Sequence, residues 1–383
     1  MRLESIEYLE FKDEQYAWKL EELTFKDINL IVGKNATGKS RVLRIIHGIA
    51  RLIDGSMNPA ALPSGRFVAK FGDEKKGVRN EVKYIVDING GLVTHESLVE
   101  NNIPKLARKK DGSCSMRFEQ ADSDITVSIP QNLLAIASRR DPIQHIYFEK
   151  LIDWAKTVRL YETSRTRNDS ANIFQGKFDI NSVPNIDISD SISLIIKLGR
   201  ENFNRDFITP VVSDMRKIGY DIADFGLMPR SGIESPIKTS GIEEVIFIKE
   251  VGIEKKLPTN ELSSGMFRAF SVIATFHFIR LQKNHGCLII DDIGEGLDYE
   301  RSKQLINLII EQAEKNRYMQ IIMTTNDQFV MNNIKLDYWT ILKRDKGVIK
   351  GFNMDNSKEL FEKFEEYGLN NFDFFSNEYF LKK

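Results

Sequence analysis

The segment Gly33-Lys34-Asn35-Ala36-Thr37-Gly38-Lys39-Ser40 fits the spacing G-x-x-x-x-G-K-[ST], and it restricts what this chain can become. It follows INLIV at 28–32, a short aliphatic run suited to a strand covered on both faces. It opens a stretch from Ser40 to Asp54 in which Val42, Ile45, Ile46, Ile49 and Ile53 recur at helical spacing. Strand, glycine-bearing loop and helix in that order make a phosphate cradle. Gly33 and Gly38 allow a tight backbone turn with N–H groups pointing inward. Lys39 would reach the outer phosphates of a nucleotide, and the Ser40 hydroxyl would face Mg²⁺.

The rest of the composition narrows the setting. The 383 residues carry 54 Lys and Arg against 55 Asp and Glu, too little positive excess for a general polyanion binder. Two cysteines, Cys114 and Cys287, exclude a disulfide scaffold and a four-thiolate zinc site. The start, MRLESIEYLEFKDEQ, carries acid where a secretory signal needs an apolar core. The charge-free apolar stretch Ala269 to Ile279 is far short of the ~20 residues that span a bilayer. A cytoplasmic protein without a membrane segment is expected. Length alone allows two or three domains, or one domain with a large insertion.

Alternation through the first thirty residues (Leu3, Ile6, Tyr8, Phe11, then Trp18, Leu20, Leu23, Phe25) predicts two antiparallel strands. Residues 55–135 read as strands, with RFVAKF, VKYIVDI and SMRFE between turn clusters and a hairpin signal in the Asn-Gly-Gly at 89–91. NLLAIAS at 132–138 reads as a further buried strand. Helical spacing begins after Pro142 and returns from Ile192 to about Ile218. Between them, 163–190 is polar and rich in Asn, Asp and Ser, as a loop would be. EEVIFIKE at 243–250 reads as a strand. From Ser264 onward helices alternate with strands, which predicts a parallel, doubly wound sheet.

Two further segments carry chemistry. CLIIDD, Cys287 to Asp292, is an apolar strand that delivers two carboxylates to the sheet edge where ligands bind in open α/β folds. Asp291 would hold Mg²⁺, and Asp292 would polarise an attacking water. ELSSGMFRAF, Glu261 to Phe270, precedes that strand by one helix, with 28 residues from Ser263 to Asp291. Taken alone, Ser263-Ser264-Gly265 before a helix is an N-cap. In this order and spacing, LSSGM resembles the signature loop of ATP-binding-cassette (ABC) ATPases.

That resemblance implies an α/β fold, an ABC-ATPase head with a mixed parallel core sheet, an antiparallel N-terminal sheet and a mostly helical insertion lobe. It implies Mg-ATP bound by Gly33–Ser40 and Arg41. Ser263, Ser264 and Gly265 would contact the γ-phosphate held by a second subunit, in a homodimer or higher even oligomer. GEGLD, Gly294 to Asp298, takes the position of the D-loop, with Asp298 at the subunit junction. MTTND places Asn326 where the family usually has a histidine, and Asp292 stands where it usually has glutamate. Glu295 is the substitute candidate for orienting water, and the two departures imply slow or partner-stimulated hydrolysis. The family's glutamine loop has three candidates without a motif, Gln120, Gln131 and Gln144. Arg139 and Arg140 in SRRD would face nucleotide or partner, or solvent.

The signature lies about 225 residues after Lys39, and the form LSSGM-F-R resembles the soluble AAA15/AAA21 ATPases and the ATPase half of OLD-family proteins, related to RecF and SMC. The resemblance covers 1–50 and 242–345. Only about thirty residues follow the final strands, so a Toprim nuclease domain of the OLD kind is not expected. The expected division is an ATPase core at 1–140 and 242–355, an insertion lobe at 141–241, and a C-terminal helix and aromatic tail at 356–383. The layout implies control of a separate effector, a nuclease or toxin, in phage defence. Two alternatives stay open: a RecF/SMC-like DNA clamp, for which Lys105, Arg108, Lys109 and Lys110 are the dense basic run, and a non-hydrolysing nucleotide-gated scaffold. The tail LNNFDFFSNEYF either covers the core or docks a partner. His47, His95, His145, His277 and His285 show no metal spacing.

Overall fold

The computed structural model describes residues 1–11, 14–75, 77–162, 192–229, 244–282, 286–316, 318–366 and 368–381. The polar stretch expected as a loop at 163–190 lies outside them, as does His285.

Three mostly apolar runs make the centre of the sheet. These are β3 (Ile28–Val32), β14 (Gly286–Ile290) and β15 (Met319–Thr325), and every residue in them is buried. Such runs suit strands covered on both faces. They pair in parallel, with β10 (Val158–Tyr161) outside β14 and β16 (Trp339–Asp345) beside β3. The sheet continues through β17 (Val348–Asn353), β2 (Trp18–Thr24), β1 (Arg2–Glu10), β4 (Gly65–Lys75), β5 (Val78–Asn89), β6 (Leu92–Glu100), β7 (Ile103–Arg108), β8 (Ser113–Phe118) and β9 (Ser123–Ser128), to fourteen strands. From β1 to β9 the pairing is antiparallel, and the Asn-Gly-Gly turn joins β5 to β6.

The period of two along each central strand divides the molecule into two apolar cores. Leu30, Val32, Leu288 and Ile290 face one, while Ile31, Cys287 and Ile289 face the other. The second core is closed by α1 (Lys39–Asp54), the short α2 (Ala135–Ser138) and α3 (Ile146–Thr157). The first is closed by α4 (Ile192–Phe203), α5 (Arg205–Lys217), α6 (Ser264–Leu281), α7 (Tyr299–Lys315), α8 (Gln328–Asn333), α9 (Lys358–Glu365) and α10 (Asn371–Ser376).

Four placements differ from or sharpen the sequence reading. NLLAIAS is not a strand: Ala135–Ser138 is a helical turn whose first N–H groups, of Ala135 and Ile136, donate to the buried Glu96 carboxylate at 2.7 and 3.1 Å. Residues 141–161, read as the start of the lobe, supply α3 and the edge strand β10 to the main body. The remainder of the lobe sets α4 and α5 beside a small antiparallel sheet of β11 (Ile222–Pro229), β12 (Glu244–Glu250) and β13 (Lys256–Pro258). The tail covers the core, with Phe374 and Phe380 buried and Phe374 against Phe361 and Phe364.

Candidate functional site

The loop between β3 and α1 is held in a conformation that its residues explain. Ala36 and Gly38 have φ of 63° and 107°, in the left-handed region. A Cβ at Gly33 would lie 2.6 Å from the Thr37 hydroxyl. Thr37 in turn donates to the Lys34 carbonyl at 2.8 Å. Gly38 is the N-cap of α1 and offers no side chain to the first turn, so the helix presents its N–H groups to the cleft. Lys39 is buried, and its Nζ donates to the Gly33 carbonyl at 2.7 Å. Burial pulls its pKa down, and Asp292 and Asp291 oppose that pull.

Opposite stands the acidic end of β14. The Thr324 hydroxyl donates to Asp291 Oδ1 at 2.6 Å and accepts the Asp292 N–H at 2.8 Å. The Asn326 N–H donates to Asp292 Oδ1 at 3.2 Å. Asp292 has φ of 53°, uncommon for a residue with a Cβ. Burial raises the Asp292 carboxyl pKa, the neighbouring Glu295 and Asp291 charges add to the rise, and the Asn326 N–H and Arg268 oppose it. A raised carboxyl is a better proton acceptor near neutrality.

The third wall is the start of α6. Ser263 is its N-cap, with Oγ accepting from the Met266 N–H at 3.2 Å. Gly265 has a packing reason: a Cβ there would lie 2.5 Å from the Gly296 carbonyl. Arg268, buried on the first turns, reaches under the acids. Its Nη2 donates to the Asp291 carbonyl at 2.8 Å and to the Asp292 carbonyl, and Nη1 pairs with Glu295 Oε2 at 3.3 Å.

Together these walls enclose an open cleft of about 880 Å³. Of the residues proposed from sequence, Asn35, Ala36, Gly38, Lys39, Ser40 and Arg41 line it from one side, and Ser264, Asp291, Asp292, Glu295 and Asn326 from the other. Gly33, Lys34, Thr37, Ser263, Gly265 and Asp298 do not line it. Lys34 pairs with Glu378 at 2.7 Å, and Asp298 caps α7 by accepting from the Arg301 N–H at 3.0 Å. Gln120, Gln131, Gln144, Arg139 and Arg140 are also outside the lining, and Arg140 pairs with Glu149.

Sequence reasoning missed Tyr161, Phe267, Arg268, Gly296 and Thr324 in the lining. Arg268 had a visible signal, a charge inside the apolar run after LSSG. Tyr161 had none, because nothing local marks VRLY as a sheet strand.

The donor set fits nucleotide and Mg²⁺. The helix N-terminus and Lys39 suit phosphate. Among the described residues no group of three or more His, Cys, Asp or Glu is placed to hold a metal. A hydroxyl (Ser40) and a carboxylate (Asp291) suit Mg²⁺, which keeps several waters and uses one or two carboxylates plus substrate phosphates. Two members of the basic run are engaged within the fold, while Lys109 and Lys110 are exposed. Arg108 is buried and donates to the carbonyls of Leu133, Ile129 and Pro130, and Lys105 pairs with Glu119. No helix among the described residues is long and apolar enough to cross a membrane.

Comparison with known proteins agrees with this geometry. The family model AAA_21, described as "AAA domain, putative AbiEii toxin, Type IV TA system", matches residues 28–332. A search of curated proteins finds no match. Among solved structures, the SMC head bound to the C-terminal winged-helix domain of ScpA superposes with a TM-score of 0.51 at 15% identity, covering 94% of this chain and 100% of that one. An SMC head with an extended coiled coil, bound to the C-terminal domain of ScpA derived from Pyrococcus furiosus, gives a TM-score of 0.48 at 13% identity, covering 95% of this chain and 99% of that one.

Proposed function

The chain belongs to the AAA_21 family, as an ABC-type P-loop ATPase related to SMC heads, and from that premise we propose that two copies bind and hydrolyse Mg-ATP head to head and that the ATP state controls a separate effector. The observation that carries this reading is the single cleft in which Lys39 and Ser40 face Asp291, Asp292 and Asn326 with Ser264 at its rim.

Each residue has a physical task. The N–H groups that open α1 and the Lys39 ammonium hold the β- and γ-phosphates and stabilise charge on the transferred group. Asp292 orients a water in line with the γ-phosphorus and accepts its proton as the new O–P bond forms and the bond to ADP breaks. It is favoured over Glu295, whose carboxylate is engaged by Arg268. Ser40 and Asp291 would hold Mg²⁺, which supplies charge neutralisation between the phosphates. Ser263 and Gly265 lie outside their own chain's cleft while Ser264, between them, lines it, so a role of this loop toward the nucleotide of a second copy rests on the resemblance to the signature loop.

The family description names a toxin of a Type IV TA system, and a related head fold carries a bound ScpA domain. Both are in keeping with a separately encoded partner, and phage defence is the setting we propose for it. The burial of Arg108 and the pairing of Lys105 favour this over a DNA clamp.

Titration with a fluorescent ATP analogue, with light scattering and phosphate release, tests the reading. Lys39→Ala loses nucleotide binding. Asp292→Asn keeps binding, accumulates a dimer with ATP and slows release about 10²-fold or more. Release from Asp292→Asn at the wild-type rate overturns the assignment of Asp292. Wild-type release at background, with dimerisation intact, selects the non-hydrolysing scaffold.

A further inference from the structure

Arg268 is 2% exposed on a helix whose residues from Gly265 to Ile279 are all buried, so its charge is in place at a desolvation cost. Its partners explain why. β14 ends at Ile290, and beyond it the chain turns through Asp292 at φ 53°. The carbonyls of Asp291 and Asp292 leave the strand ladder there, and both accept from Arg268 Nη2. The second nitrogen, Nη1, holds Glu295 at 3.3 Å. The guanidinium carbon stands 5.5 Å from the Tyr161 ring, at the end of the neighbouring strand β10. A planar fork with several donors can bind two carbonyls and a carboxylate at once; an ammonium cannot.

A second contact ties the same two segments. Gly265 sits so close to Gly296 that a Cβ would lie 2.5 Å from its carbonyl oxygen. The start of α6 therefore touches the acidic turn at both ends, through Gly265 and through Arg268. We propose that Arg268 is a positioning residue that fixes the Asp291–Glu295 turn and couples its geometry to the Ser263–Gly265 loop. A displacement of that loop moves Arg268, and the peptide that aims the Asp292 carboxylate moves with it. The catalytic consequence rests on the ATPase reading above; the mechanical coupling does not.

Full-length Arg268→Gln and Arg268→Lys, compared with wild type, test it. In Arg268→Gln, kcat falls about tenfold or more while nucleotide affinity stays within about threefold. Arg268→Lys recovers part of the loss, because one ammonium still reaches a carbonyl and offsets Glu295. Adding Glu295→Gln to Arg268→Gln does not restore turnover, since the carbonyls remain unheld. Equal loss of affinity and turnover in both variants, with Lys no better than Gln, marks a purely structural role and overturns the proposal. Hydrogen exchange on the nucleotide-free protein reads the coupling without turnover. Amides over 292–297, including Glu295 and Leu297, exchange about tenfold faster in Arg268→Gln while those of β3 do not. Unchanged exchange over 292–297 overturns the proposal even in a protein that fails to hydrolyse ATP.

Discussion

One hydroxyl, on Thr324, serves both acids of the candidate site. It donates to the Asp291 carboxylate and accepts from the Asp292 backbone, so it sets the distance between the proposed metal-side acid and the proposed water-side acid. Valine has nearly the same shape and suits a buried strand, but it supplies neither bond. Thr324→Val should therefore leave the Asp292 N–H without its partner, at a cost of about 1–3 kcal/mol. Urea unfolding should show that loss, and turnover should fall with it. Thr324→Ser keeps the hydroxyl and should recover turnover, although it leaves a small void. Equal turnover in Val and Ser variants would remove Thr324 from the site's machinery. The motif residues themselves were legible in sequence, because glycine spacing and paired acids are local patterns. The partners of Thr324 and Arg268 were not, because they lie 33 and 23 residues away and, for Arg268, are main-chain carbonyls.

Helix α6 joins the lobe to the ATPase body. Its residues from Gly265 to Ile279 are all buried, which accounts for the charge-free apolar stretch read there from Ala269 to Ile279. On the lobe side His277 Nε2 meets Asp214 Oδ2 of α5 at 2.8 Å, and Lys217 reaches the other oxygen at 2.7 Å. Burial lowers the His277 pKa below its usual value, and Asp214 only partly opposes this, with Arg280 and Lys217 also facing the ring. The folded state then resists a proton that the unfolded chain accepts from about pH 6.5 downward. Stability is present above that pH and is lost as the pH falls toward the depressed folded value. Asp214 is also depressed: burial raises it, but the hydrogen bonds from His277 and Lys217 outweigh that, so its own loss begins only near or below about pH 3.8. Thermal unfolding at pH 7.5 and 5.5 should show a drop for wild type and a smaller one for His277→Gln, which keeps a donor to Asp214 without a titrating ring. An identical drop in both would assign the sensitivity elsewhere. At this scale legibility depended on whether a partner was local. Helix α1 announced itself by its own period, whereas the apolar run NLLAIAS read as a strand and folds instead as a helical turn, because the distant Glu96 carboxylate holds the first N–H groups of α2.

At the scale of the molecule, strands from both ends of the chain share one sheet: β3 lies between β15 and β16, and β17 joins β2. The lobe's Tyr220 lies near Ser263, and its ring lies 4.5 Å from the Arg301 guanidinium, which pairs with Asp298. Tyr220 thus stands beside both segments expected at a subunit junction, while neither Ser263 nor Asp298 enters that copy's own cleft. On the head-to-head reading such a surface would meet the nucleotide of a second copy, and two substitutions at one position separate that proposed role from local stability. Ser263→Ala removes the N-cap of α6, a loss of about 0.5–2 kcal/mol. Ser263→Arg removes the same cap and also adds bulk and charge to the junction. Both should bind nucleotide as wild type does, because Gly38, Lys39 and Ser40 are untouched. If the head-to-head reading holds, light scattering should report an ATP-dependent dimer for wild type and Ser263→Ala, and a monomer with or without ATP for Ser263→Arg. A dimer that forms equally well in Ser263→Arg would place the second copy on another face, and equal loss in Ala and Arg would make the position a cap alone.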